Sequence, residues 1–226
     1  MINGWNVVIS RSSRKSIAIS VRQNLDVIVC VPKKTDDKAI YEILVQKQNW
    51  IQKKLEYFQN SKTIFKVFGA ITDGQKIYFL GNEVVVRIMN IDRNVVTFDG
   101  EVIAIYSHFA NAHNVLNKWV EGFAAQYFEE RLNFCFERFL QKVPCKFPVL
   151  KIRKMKKRWG SMSTSGVMVL NLALVFTPSQ CIDYVIMHEI CHIKHMNHGK
   201  KFYELQGYFT PNYKEIKKEL ERFVVA

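Results

Sequence analysis

Two histidines four residues apart, His188 and His192, with Glu189 directly after the first, constrain this chain more than any other feature. An α-helix turns about 100° and rises about 1.5 Å per residue, so the spacing predicts both imidazoles on one helical face. The preceding stretch Thr177-Pro178-Ser179-Gln180 favours a helix start. It offers threonine at the N-cap, proline at the first helical position and glutamine three residues after the cap. With His188 at zero, His192 falls near 40° and Glu189 near 100°, while Ile182, Val185, Ile186, Ile190 and Ile193 occupy roughly 60–200°. The ligand-bearing face therefore adjoins the buried face, which suits a site at the floor of a cleft.

Imidazoles so placed can direct nitrogens to a single ion about 2.0–2.1 Å from each, and the intervening glutamate flanks that ion as a base for water. The bland alternative is a helix with two surface histidines. A catalytic zinc needs a third protein ligand and an open position. On a continuing helix His195 lies about 10 Å along the axis from His188, too far to share an ion. A ligand after a chain reversal is better placed, and Asn197-His198-Gly199 offers one, since asparagine and glycine tolerate the left-handed conformation that ends helices. Reach along the chain therefore favours His198 over His195 as the third ligand. His108 and His113 lie apart from the motif without ligand spacing, and Cys191 points away from the seam, as expected of a packing residue.

Upstream, residues 5–31 read as short strands around a polar break at Gln23-Asn24, followed by a helix from Thr35 or Asp36 to about Gln59. KIYFL, EVVVRIM, VVTF and EVIAIYS, separated by Gly81-Asn82, Asp92-Arg93-Asn94 and Asp99-Gly100, carry the punctuation of an antiparallel meander. From about Asn111 to Val143 an aromatic-rich helical stripe reads as core. VLKIRKM and GVMVLNLALVF follow as strand-like pieces around Thr164-Ser165-Gly166. The change of pattern near residue 106 suggests a β-rich N-terminal region with one helix (1–106) and a second region (107–226) that holds the site. The fold class expected is α+β.

Composition narrows the setting. At 226 residues and 48% hydrophobic the chain can bury a core, and no run reads as a signal peptide or a membrane span. Five scattered cysteines without a C-x-x-C pair suggest reduced thiols and a cytoplasmic location. The net charge of +13 favours anionic partners, nucleic acid or nucleotides among them, without selecting one. Arg153, Lys154, Lys156, Lys157 and Arg158 form the densest basic run, which reads first as a solvated strand edge and second as an anion site.

RSSRKSIAISVR, QKQNWIQKKL, YFLGNEVVVRI, KKRWGSMSTSGVMVLN, CIDYVIMHEICHIKHMNHGKKFYEL and PNYKEIKKEL together resemble the YgjP-like metal-dependent hydrolases, relatives of the SprT and WLM zincin-type metallopeptidases. The resemblance implies a zincin-like catalytic core with one zinc per chain. It matches the ligands to His188, His192 and His198 and the base to Glu189. It also implies that Arg158, Trp159, Gly160, Ser161 and the strand leading to Asn171 bind substrate as the cleft wall opposite the ligand helix. One departure is Met162, where the family commonly has cysteine after W-G-S.

The function expected is zinc-dependent hydrolysis of peptide bonds in a peptide or protein substrate. Tyr208, Tyr213 and Arg158 are candidates to stabilise the oxyanion. Two alternatives keep the metal: a nucleotide or phosphate-ester hydrolase, which lacks a glycine-rich phosphate loop, and a zinc-stabilised nucleic-acid-binding module, which would usually show a fourth ligand.

Overall fold

The computed structural model describes residues 4–22, 24–59, 62–63 and 71–224, so Gln23 of the expected polar break lies outside the described residues. The chain is α+β and packs as two compact units, Met1–Lys62 and Thr63–Ala226.

In the first unit, β1 (Asn6–Ser12), β2 (Ala18–Val21) and β3 (Asp26–Pro32) form a sheet of order β1-β3-β2. The central strand pairs in parallel with β1 and antiparallel with β2. Its alternation buries Val27, Val29 and Val31, which cluster with Trp5, Ile40, Leu44, Ile51 and Leu55. The last four come from α1 (Asp37–Gln46) and α2 (Gln48–Gln59). The sequence pattern predicts one helix here. The structure breaks it at Lys47, whose φ of −97° and ψ of 7° leave the helical region. Asp36 caps α1 by accepting the Ala39 N–H at 2.8 Å, the role expected of it.

The short β4 (Lys62–Thr63) falls at the division, and the second unit holds a four-stranded sheet of β5 (Lys76–Phe79), β6 (Asn82–Met89), β7 (Val95–Phe98) and β8 (Val102–Tyr106). Its order is β5-β6-β8-β7, with β6 and β8 parallel, so the expected meander is not formed. Turn residues report that a chain reverses and leave open which strand it then pairs with. Strand β8 buries Ile103 and Ile105 and takes the central place, whereas β7 buries none of its residues and lies at the edge. The β5–β6 turn is Leu80-Gly81, with both φ values positive. A Cβ on Gly81 would meet Pro178 Cα at 2.7 Å, and the Leu80 N–H donates to the Val175 carbonyl at 2.8 Å. The turn therefore braces the chain just before the site-bearing helix.

Helix α3 (Phe109–Leu140) runs beneath that sheet. Leu116, Val120, Ala124, Phe128 and Leu132 recur every four residues on its buried face, and Trp119 and Phe123 meet Phe79 of the sheet at ring separations of 5.3 and 4.9 Å. The aromatic stripe is core, as its spacing predicts. The pattern change near residue 106 is thus a change of secondary structure within one core, and the compact units divide at Lys62/Thr63 instead.

A second small sheet, order β10-β11-β9, joins β9 (Val149–Arg153), β10 (Gly160–Met162) and β11 (Val167–Asn171). The expected strand continuation Leu172–Phe176 is a 3₁₀ helix, buried throughout. A short apolar run has no periodicity to distinguish the two. Here Asn171 Oδ1 accepts the Ala173 N–H at 3.1 Å and turns the chain. Helices α4 (Ser179–Cys191), α5 (Lys200–Phe209) and α6 (Tyr213–Leu220) complete the unit. No helix among the described residues is long and apolar enough to cross a membrane.

Candidate metal centre

Helix α4 is buried on most sides, with only parts of one face open. It starts one residue later than its N-terminal sequence predicts. Pro178 occupies the cap, and Thr177 Oγ1 donates instead to the Leu174 carbonyl at 2.8 Å, closing the 3₁₀ helix. Three polar ties fix α4 to α3. Arg131 grips Asp183 with two parallel bonds of 2.7 and 2.5 Å, Tyr127 Oη donates to Ser179 Oγ at 2.8 Å, and Cys135 Sγ contacts the Asp183 carbonyl at 3.9 Å. Bidentate guanidinium–carboxylate pairing adds direction as well as energy. The rotation of α4 about its axis is thereby set.

His188 projects from this helix, and His192 stands at its C-cap, still in helical conformation at φ −65° and ψ −20°. The ladder tightens there, with the His192 N–H bonding the Glu189 carbonyl at 3.2 Å. The chain then reverses through His195–Gly199 and brings back His198. No left-handed residue is used for this: among the described residues neither Asn197 nor Gly199 has positive φ, and Gly199 is extended at φ −84° and ψ −177° as the N-cap of α5.

One ligand nitrogen each from His188, His192 and His198 lies within 4.8 Å of the others, and the Nε2 atoms of His188 and His198 are 2.9 Å apart. Tetrahedral ligands about 2.1 Å from zinc sit about 3.4 Å from one another, so the donor set fits such an ion. Burial, followed by His192, His198 and Lys217, pushes the His188 imidazole down to about 4, which keeps it neutral and its lone pair available. His192 Nδ1 lies 3.0 Å from the His195 carbonyl. A carbonyl only accepts, so Nδ1 carries the proton and Nε2 is left to ligate. His195 therefore serves the cluster through its backbone.

Phe202, fully buried on α5, was not singled out by any sequence signal beyond apolar periodicity. Its ring packs against all three imidazoles, at 4.9 Å from His188 and 4.7 Å from His192 and His198. Tyr184, one turn before His188, also packs on it at 5.9 Å, and burial pushes the Tyr184 hydroxyl up to about 12.

Glu189 is only 5% exposed. Burial raises its carboxyl to about 7, against the charge of Arg158 and a hydrogen bond from the Met162 N–H, both of which favour ionisation. Gly160 makes this possible: a Cβ there would lie 2.7 Å from Glu189 Oε1 and 3.0 Å from Val185 Cγ1.

A cleft of about 810 Å³ opens over these residues, lined by Arg158, Trp159, Gly160, His188, Glu189, His198 and by Tyr203, Tyr213 and α6. Of the expected wall, Arg158, Trp159 and Gly160 face the cleft, and Trp159 also packs on the core. Ser161 and Asn171 do not line it. Asn171 is buried and acts from behind, its amide donating to the carbonyls of Met155 at 2.8 Å and Arg158 at 2.9 Å, which holds the approach to β10 in place. Met162, at the position of the family's usual cysteine, is buried and gives its N–H to Glu189. Arg158 and Tyr213 line the cleft, whereas Tyr208 is 60% exposed beneath Lys142 and lies outside it. Cys191 is fully buried, as a packing residue should be.

Among solved structures, the chain is similar to the metallopeptidase zymogen of Pyrococcus abyssi abylysin, at 20% identity over 44% of this chain and 99% of that one, with a TM-score of 0.38. It is also similar to the metallopeptidase zymogen of Methanocaldococcus jannaschii jannalysin, at 24% identity over 41% of this chain and 92% of that one, with a TM-score of 0.35. Comparison with curated protein sequences gives no match. Sequence comparison is more decisive: the family model described as YgjP-like, metallopeptidase domain, matches residues 15–223, and the chain belongs to that family.

Proposed function

We propose that the cleft is the active site of a zinc-dependent peptidase, with His188, His192 and His198 as the residues that hold the ion and Glu189 as general base. The observation that carries this reading is the meeting of three imidazoles with a buried carboxyl at one open cleft, which His188, Glu189 and His198 line. Three protein ligands leave the fourth position free, the arrangement of catalytic zinc. Zinc bound there supplies Lewis acidity and lowers the pKa of water.

The chain's own residues do the remaining work. Glu189, its carboxyl near neutrality, accepts a proton from the attacking water and returns it to the leaving amine, which a carboxylate of ordinary acidity does less well. Arg158 and Tyr213 supply donors from the cleft lining to steady the developing oxyanion. Strand β10 orients the substrate. Trp159 and Ser163 bond to β11, so by antiparallel alternation Gly160 and Met162 turn their backbone groups to the open edge. Met162 spends its N–H on Glu189, which leaves Gly160 to pair with an extended peptide.

Glu189→Gln tests the reading. The variant is expected to keep its zinc and to lose peptide turnover by at least about a hundredfold, in line with removal of a general base. Retained zinc with retained hydrolysis would sink the assignment.

A further inference from the structure

The cleft is cationic on both sides. Lys214, Lys217 and Lys218 stand at i, i+3 and i+4 of α6 and line the cleft together, while Ile216 on the opposite side of that helix is buried. Arg158 faces the cleft from the approach to β10. Two carboxylates share the lining, Glu189, committed to the metal centre, and Glu221 at the end of α6. Among the described residues none of the four cations enters an ion pair, although surface pairs such as Lys76–Glu83 and Lys200–Glu204 form elsewhere. Like charges gathered around one concavity repel each other and are relieved by an anionic occupant.

We propose that the cleft selects peptides with acidic side chains beside the scissile bond, with Lys214, Lys217 and Lys218 as specificity-determining residues on one side and Arg158 on the other. This rests on the peptidase reading of the same site. A nucleic acid is the less suitable occupant. The cations are confined to a concave lining of about 810 Å³ with the metal centre at its floor, which fits a short extended chain better than a phosphate backbone tracked over an open face. Carboxylates on such a chain meet cations that form no ion pair among the described residues, in a partly enclosed space where charge complementarity governs which partner is admitted.

The test uses two peptides of identical sequence except for glutamate or glutamine at the residues flanking the scissile bond. The wild-type zinc protein should favour the glutamate peptide in kcat/KM by about tenfold at low salt, with the advantage shrinking as salt rises. In the triple variant K214Q/K217Q/K218Q the ratio should fall toward one through KM, with Arg158 holding the remainder, and Lys217→Glu should shift it further toward the glutamine peptide. In parallel, fluorescence anisotropy measures binding of both labelled peptides to Glu189→Gln protein. If neither peptide is cut yet the glutamate peptide binds more tightly and loses that advantage in the lysine variants, selection stands and the peptidase reading fails. Equal kcat/KM and equal affinity for the two peptides would overturn the proposal. So would a single-stranded oligonucleotide that outcompetes the glutamate peptide and loses its affinity in the triple variant.

Discussion

His188 and His192 come from a helix buried on most sides and strapped to α3 by the Arg131–Asp183 pair, whereas His198 comes from an exposed reversal with few bonds of its own. The same cluster thus takes two of its three histidines from a rigid element and one from a loop. The difference teaches where positional accuracy originates. The helix fixes two of the imidazoles through its spacing, and the loop imidazole is fixed by packing, since Phe202 on α5 presses against all three rings. Sites gain accuracy when their side chains are locked by neighbours, whichever element carries them.

Removing the shared neighbour should break the comparison most severely. Phe202→Ala is expected to cost about 3–5 kcal/mol of stability as a buried aromatic is lost, and zinc affinity should fall by about 10–100-fold as the rings lose support. Thermal unfolding and a zinc titration read the two effects separately. Unchanged affinity in a folded variant would show that the reversal positions His198 unaided.

A smaller effect is expected on the helix side. Gly160→Val places side-chain atoms where Glu189 lies and should displace the carboxyl, cutting turnover by about a hundredfold while zinc content holds. Turnover at the wild-type rate would remove the close approach of β10 to α4 from the account.

The smallest concerns the metal-free protein. His188 is depressed to about 4 from 6.5, so its contribution to stability is present above 6.5 and is lost as pH falls from there toward 4. Glu189 is raised to about 7 from 4.5, so its contribution is present below 4.5 and is lost as pH rises from there through 7. Between 4.5 and 6.5 the two slopes oppose each other and nearly cancel. In chelator, Glu189→Gln should therefore steepen the decline on acidification across that window by about 1–2 kcal/mol relative to the wild type, in which the depressed His192 leaves a shallower loss of its own. Parallel curves for the two proteins would contradict the opposed shifts.

Much of the site is legible from residue spacing. Helical periodicity from His188 places the second histidine and the glutamate, and the length of a helical continuation by itself disfavours His195. What escapes the sequence is what depends on distant partners. Phe202 reads as one apolar position among many. The turn residues around β6, β7 and β8 leave the parallel β6–β8 pairing unspecified. Leu172–Phe176 has the composition of a strand and is bent by one asparagine side chain. The change of pattern near residue 106 marks the start of α3, whose sequence contains no trace of the sheet it buries. The exposed reversal illustrates the same limit, since asparagine and glycine suggest a left-handed turn that the backbone does not take.

The proposed metal centre requires His198, and not His195, to complete the cluster. Equilibrium zinc titration of the wild type, His198→Ala and His195→Ala measures this directly. One zinc per chain should bind tightly to the wild type and to His195→Ala, whose backbone carbonyl is untouched, with binding weakened by more than about a hundredfold in His198→Ala. Tight zinc in His198→Ala together with its loss in His195→Ala would contradict it.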